Sequence, residues 1–254
     1  MMMKRLLTAL ILCVAAMGSF AMPRTVVPCD KLQNRDWTKK LWWKERHEAI
    51  LTRIAETKSD FDIVFLGDSI SQNWDSKGGE RGRNPLGRAV AERRFRNVRY
   101  LNLGFGGDGT ENVLWRCLNG ELDGYRASLF TLLIGTNNRF DAPADVAAGI
   151  GRIVEVVKEK HPEAKILLTP ILPRNPLKSD PPDLSAAQAE VNRLIRPLAD
   201  GKVVIWNDWR TKLLGSDGKL DPTKMYDEVH PGERGYEIWA DAIMPYLNCS
   251  SLKP

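Results

Sequence analysis

Short apolar runs alternate with longer amphipathic segments along this chain. Ile63-Val64-Phe65-Leu66, Val98 to Leu103, Leu129 to Ile134 and Ile166 to Ile171 are each bounded by Gly, Pro, Asn or Asp and are too short for helices. They predict strands, and Val203 to Trp206 predicts a fifth. Trp42 to Ile54 places apolar groups at helical spacing with charges between them, which predicts a surface helix packing one stripe inward. Val146, Ile150, Ile153, Val154 and Val157 share one face of a helix running to Lys160, and Ser185 to Leu198 repeats the pattern. Strands alternating with helices imply a parallel sheet covered on both faces. In such sheets ligands bind beyond the carboxyl ends of the strands, so the chemistry is expected there. No internal repeat or low-complexity linker breaks the alternation, and residues 22–254 are expected to form a single domain.

Ahead of this pattern, Lys4 and Arg5 precede a nearly uninterrupted apolar run from Leu6 to Phe20, and small residues stand at Ser19 and Ala21. Residues 1–21 therefore predict a secretory signal peptide. The run of about 15 residues falls short of the roughly 20 that span a bilayer. A secreted or periplasmic protein without stable membrane insertion is expected. Composition adds little beyond an ordinary globular chain, with 43% apolar and 27% charged residues among 254. Of the formal charge of +5, Lys4 and Arg5 supply two, which leaves too small an excess to argue for nucleic acid.

Export would leave Cys29, Cys117 and Cys249 in an oxidising compartment. Cys117 lies in Val113 to Leu118, which reads as a packed helix, and is expected to be a buried small hydrophobe. Cys29 and Cys249 lie near the two mature ends, where a disulfide tether and two thiols are both open. No Cys-x-x-Cys or His-x-x-x-His pair occurs, so no metal site is expected.

The strand ends carry the candidate chemistry. Gly67-Asp68-Ser69-Ile70-Ser71 closes the first strand and would project the Ser69 hydroxyl into the crevice at the start of a helix. Asp68 or Ser69 could equally serve as a helix cap. Gly104-Phe105-Gly106-Gly107-Asp108-Gly109 closes the second; its glycines let backbone approach a ligand and aim N–H groups at an anion. A dinucleotide site is excluded, because the glycines follow the second strand and no acidic residue closes another strand about 20 residues on. Gly135-Thr136-Asn137-Asn138 closes the third and offers an amide donor. Near the end, Asp227-Glu228-Val229-His230-Pro231 sets a carboxylate three residues before an imidazole, able to hold its Nδ1–H and leave Nε2 for a serine proton. Of the three histidines, His47 lies on the first amphipathic helix and His161 ends another, so His230 is the one placed for catalysis.

These four elements, in this order over roughly residues 40 to 247, resemble the GDSL or SGNH hydrolases. With Gly106-Gly107-Asp108-Gly109-Thr110, Val113-Leu114-Trp115-Arg116, Asn119-Gly120-Glu121-Leu122, Gly135-Thr136-Asn137-Asn138 and Leu172-Pro173-Arg174, the chain resembles, within that family, the catalytic subunits of intracellular platelet-activating factor acetylhydrolases and bacterial carbohydrate esterases. The resemblance implies an α/β fold of three layers, α/β/α, around a central five-stranded parallel sheet of flavodoxin-like type. It implies Ser69 as nucleophile, Asp227 and His230 as the rest of a triad, and the Ser69 N–H, Gly107 N–H and Asn137 side chain as oxyanion donors. Asp68, Trp74, Asn138 and Arg174 are candidate substrate contacts. No cofactor is required.

Two features depart from the family: the export signal, and a hydrophilic stretch from Ser71 to Ser76 followed by a polar insert over 77–83. Both weaken the case for a phospholipid. The expected activity is hydrolysis of short, foremost acetyl, esters on small molecules or oligosaccharides through an acyl-enzyme. A lysophospholipase or other lipid esterase, a thioesterase, and a carbohydrate O-acetyltransferase remain alternatives, and the oligomeric state is open.

Overall fold

A computed structural model describes residues 22–31, 41–57, 60–77 and 85–247. The expected signal peptide, Cys249 and most of the polar insert lie outside these residues.

Five strands, β1 (Ile63–Gly67), β2 (Tyr100–Gly104), β3 (Leu129–Leu133), β4 (Lys165–Leu168) and β5 (Val204–Trp206), form one parallel sheet in the order β2-β1-β3-β4-β5. Every residue of β1 and β3 is buried, as expected of parallel strands covered on both faces. Alternate side chains feed two cores. Val64, Leu66, Leu101, Leu103, Phe130, Leu132, Ile166 and Leu168 point to one, and Ile63, Phe65, Leu129, Leu133 and Leu167 to the other.

Helices α1 (Leu41–Thr57), α4 (Thr110–Arg116), α5 (Pro143–Lys160) and α6 (Leu184–Ile195) supply the first core. The second is closed by α3 (Leu86–Arg94) and α7 (Glu233–Ile243), with Ile70 of the single-turn helix α2 (Ser69–Gln72). This is the expected three-layer sandwich. The chain runs from β1 to β2 on one side and then to β3 on the other, and this reversal opens a crevice at the carboxyl ends of β1 and β3.

Several boundaries differ from the sequence pattern. The fourth apolar run extends as strand only to Leu168: Thr169 donates once more, to Leu132 O at 3.0 Å, and Pro170 has no N–H to continue. The helix expected over 185–198 tightens at Arg196, where Pro197 follows. Helix α3 carries no strong apolar stripe. Its Arg93 and Arg94 pair with Glu233, Glu237 and Asp241 of α7, so its partner lies some 140 residues away in the chain.

Cys117 is fully buried, as expected, and burial pushes its thiol up to about 12. Among the described residues no helix is long and apolar enough to cross a membrane, and no group of His, Cys, Asp or Glu is arranged to hold a metal ion.

Candidate active site

Ser69 opens α2 immediately beyond β1. Helix α2 packs so closely on the end of β2 that a Cβ on Gly104 would lie 2.1 Å from the Gln72 backbone nitrogen. Asn102 anchors the same turn through its Nδ2, at 3.0 Å from Ser71 O and 3.2 Å from Gln72 O. The nucleophile candidate therefore stands on a short helix that is clamped by its neighbour strand.

The loop before α7 delivers the other two groups. Met225 and Pro231 pair across it, and the Tyr226 N–H donates to His230 O at 2.8 Å. Asp227 Oδ1 accepts from the backbone N–H groups of Val229 and His230 at 2.8 and 2.7 Å. Its two oxygens lie 3.0 and 2.9 Å from His230 Nδ1, and His230 Nε2 lies 2.8 Å from Ser69 Oγ. Burial alone would raise the Asp227 carboxyl, but the hydrogen bonds from His230 and Val229 outweigh it and hold the group below its usual range. A carboxylate kept ionised behind Nδ1–H leaves Nε2 as an acceptor for the serine proton.

Two further loops meet beside the serine. Gly107, with φ of +73°, sits in the turn closed by the Asp108 N–H on Phe105 O at 3.2 Å, a backbone that favours glycine. Asn137, exposed at the end of β3, spends one amide hydrogen on Asp108 O at 2.9 Å, which ties the two loops together. An amide carries two donors, so the second is available to an oxyanion. Such an array can take up a serine proton and stabilise charge on a carbonyl oxygen.

The four candidate substrate contacts need correction. Asp68 is 1% exposed and caps α2 by accepting the Ile70 N–H at 2.9 Å. Burial, with Asp108 nearby, pushes its carboxyl up to about 7, and its other oxygen is a buried atom without a hydrogen-bond partner. Trp74 is fully buried rather than on the rim, because the chain turns inward after α2 into a pocket of Phe65, Phe95, Tyr236 and Trp239 with ring centroids 4.9–5.3 Å away. Asn138 is buried between loops: its Oδ1 takes the Thr110 N–H at 3.0 Å and its Nδ2 reaches Glu111 and Asp141. Arg174 keeps only 4% of its side chain exposed and pairs with Asp180 at 2.8 Å.

The structure also brings forward residues that the motifs did not single out. Asp108, wholly buried, is held by Trp43 Nε1 at 2.9 Å, Lys31 Nζ at 2.8 Å and Arg116 Nε at 3.0 Å. Arg116 continues to Glu121, which takes His47 Nδ1 at 2.7 Å. Lys31 also donates to Gly106 O at 2.9 Å, and Arg24 pairs with Glu111 and Asp141. An N-terminal strap thus braces the loops bearing Gly107 and Asn137. Its partners are some 75 to 117 residues distant, and no local signal in the sequence marks them.

The chain is similar to known proteins in sequence and in fold. The GDSL-like lipase/acylhydrolase family matches residues 65–238. The alpha1 subunit of platelet-activating factor acetylhydrolase IB from Homo sapiens is 32% identical over 196 residues, covering 76% of this chain and 78% of its own. In structure, the chain is similar to a GDSL-like lipase from Bacteroides thetaiotaomicron, with a TM-score of 0.60 at 19% identity over 78% of this chain and 95% of that one. It is similar also to a carbohydrate acetylesterase from Sinorhizobium meliloti, with a TM-score of 0.57 at 18% identity over 75% and 99%. At these identities the two solved structures speak for the fold alone. The sequence match and a serine within reach of an imidazole at the crevice lead to one conclusion: the chain belongs to the GDSL-like lipase/acylhydrolase family and is a carboxylic ester hydrolase.

Proposed function

We propose that this protein is an exported esterase that removes short acyl groups, acetyl foremost, from carbohydrate hydroxyls through Ser69, His230 and Asp227. The observation that carries the catalytic part is the 2.8 Å approach of His230 Nε2 to Ser69 Oγ with both Asp227 oxygens behind Nδ1. Ser69 Oγ bonds to the acyl carbon as its proton passes to His230. The tetrahedral oxyanion is received by the Ser69 and Gly107 N–H groups and the free hydrogen of Asn137. The ester C–O bond then breaks and the departing alcohol takes the proton from His230. Water, deprotonated by His230, attacks the acyl-enzyme; the Ser69–acyl bond breaks as His230 returns the proton to Ser69 Oγ, and the carboxylic acid leaves.

The preference for acetyl is supported by the human relative, which is named an acetylhydrolase. The preference for carbohydrate rests on the expected export; the polar stretch after Ser69 does not add to it, because Ser71, Gln72, Asn73, Trp74 and Ser76 are buried rather than set on a rim. Acetate release from a panel of acetylated oligosaccharides, compared with 4-nitrophenyl esters of increasing chain length, tests both. Ser69→Ala is expected to abolish hydrolysis of every substrate while leaving the fold intact. Wild-type rates that peak on long acyl chains would defeat the acetylesterase reading, and activity surviving in Ser69→Ala would defeat the nucleophile.

A further inference from the structure

On the α1 side of Ser69 runs a groove of about 430 Å³, lined chiefly by Trp42, Glu45, Arg46, Gln72, Asp75 and Lys77. That volume is within the roughly 300–1,000 Å³ of small-molecule sites. Gly106 and the Gln72 side chain lie between it and the nucleophile. A methyl group on Gly106 would lie 3.8 Å from Ser69 Cβ, 4.0 Å from Trp42 Cη2 and 3.2 Å from Gln72 Oε1. Groove and serine therefore both neighbour Gly106, within the reach of a substrate larger than one sugar ring.

The lining discriminates among ligands. Its two carboxylates, Glu45 and Asp75, are matched by two cations, Arg46 and Lys77. A phosphate headgroup would gain nothing from a balanced set, and the lining mixes these charged and polar groups with the apolar surface of Trp42 and Ala49. A neutral ring bearing hydroxyls that donate and accept, and one apolar C–H face, fits both the charge pattern and the indole. The wall is held in place before a ligand arrives. Trp42 lies against Phe105 with ring centroids 6.3 Å apart. Arg46 donates to Gly104 O at 2.9 Å, lies 3.4 Å from Asp75, and covers the Phe105 ring at 5.2 Å. Side chains already ordered lose less freedom on binding.

We propose that this groove is the subsite for the sugar ring that adjoins the ester-bearing one, with Trp42 as its stacking face and Glu45, Arg46 and Asp75 as its hydroxyl-binding rim. The inference rests on the carbohydrate-ester reading given above and deepens it: the protein selects acyl groups on neutral oligosaccharides over those on single sugars. Binding energy gained away from the reacting carbonyl can appear in the transition state, so the subsite should be visible in kcat/KM.

The test compares acetylated xylotriose with 4-nitrophenyl acetate. Trp42→Ala is expected to lower the ratio of the two kcat/KM values by about tenfold, the scale of one aromatic contact, with Trp42→Phe recovering most of it. Ala49, on the exposed face of α1, lines the same groove. Ala49→Trp fills the groove without touching the core and is expected to lower the same ratio, which keeps the test informative if Trp42→Ala folds poorly. Wild-type cleavage of the trisaccharide with the ratio unchanged in Trp42→Ala and Ala49→Trp would overturn the subsite alone. Wild-type hydrolysis of 4-nitrophenyl acetate with no acetate released from any saccharide would overturn the carbohydrate reading and the subsite with it.

Discussion

Arg116→Met removes the guanidinium from a fully buried charge cluster beside the loop that carries Gly107. The side chains of Arg116, Asp108 and Glu121 have no exposed surface. Methionine keeps the unbranched stem as far as the position of Nε and leaves empty the space over the Phe105 ring that the guanidinium now covers at 3.9 Å. It cannot replace the charge. Removing one partner of a buried pair costs about 3–5 kcal/mol, because the other is left uncompensated. The lower end applies here, since each carboxylate keeps a second partner: Asp108 retains Lys31 and the Trp43 N–H, and Glu121 retains His47. Gly67 O likewise keeps the Phe105 N–H at 3.1 Å.

A loss of about 3 kcal/mol corresponds to a fall of roughly 6–12 °C in Tm for a chain of this size. Urea denaturation followed by tryptophan fluorescence measures it. The double variant Arg116→Met/Glu121→Gln should be more stable than Arg116→Met alone, because the stranded charge is gone. A loss below about 1 kcal/mol, within the range of ordinary substitutions, would refute the reasoning, as would a double variant less stable than the single one.

Two other outcomes are expected. Asp227→Asn retains a carbonyl for the Val229 and His230 N–H groups but turns a donor toward Nδ1, favouring the wrong imidazole tautomer; kcat on 4-nitrophenyl acetate should fall by about 10³–10⁴ with Tm little changed, and a loss under tenfold would argue against the orienting role. Asp68 holds its proton up to about pH 7 when folded, against an ordinary value of 3.8 in the unfolded chain. The folded state thus binds the extra proton, and stability falls as pH rises from about 4 to 7, by up to about 1.4 kcal/mol per pH unit. Asp68→Asn keeps the helix cap and removes this slope, so denaturation curves for the two proteins should diverge over that window and run parallel above it; parallel curves throughout would show that Asp68 is not protonated.

Much of this architecture was legible in residue order. A parallel strand covered on both faces reads as a short unbroken apolar run and a helix buries every third to fourth residue, both local patterns, so Ile63–Leu66 and the stripe from Val146 to Val157 announce their own elements. The end of β4 was not legible in that way, because hydrophobicity continues through Ile171 while the loss of an N–H at Pro170 ends the ladder. Helix α3 was missed for the opposite reason: its short, arginine-rich sequence gains its partners only from α7.

Motif residues at the strand ends follow the same division. A parallel sheet places the ends of β1, β2 and β3 side by side, so a serine, a glycine turn and an asparagine there had to meet at one edge, and the sequence by itself determined that meeting. It also placed a carboxylate three residues before the only histidine left for it. Which neighbouring side chains face the crevice was decided by tertiary structure. Asp68, Trp74, Asn138 and Arg174 all stand beside the motifs, yet Trp74 and Asn138 are drawn inward by groups from distant segments and Asp68 and Arg174 by nearby ones, Ile70 and Asp180; burial depends on what surrounds a residue rather than on its place in the chain. The same holds for Lys31, Asp108 and Arg116, whose charges are tolerable only because folding brings them together. The groove at Trp42 exists because α1 lies against the turn after α2, a contact that neither segment encodes alone.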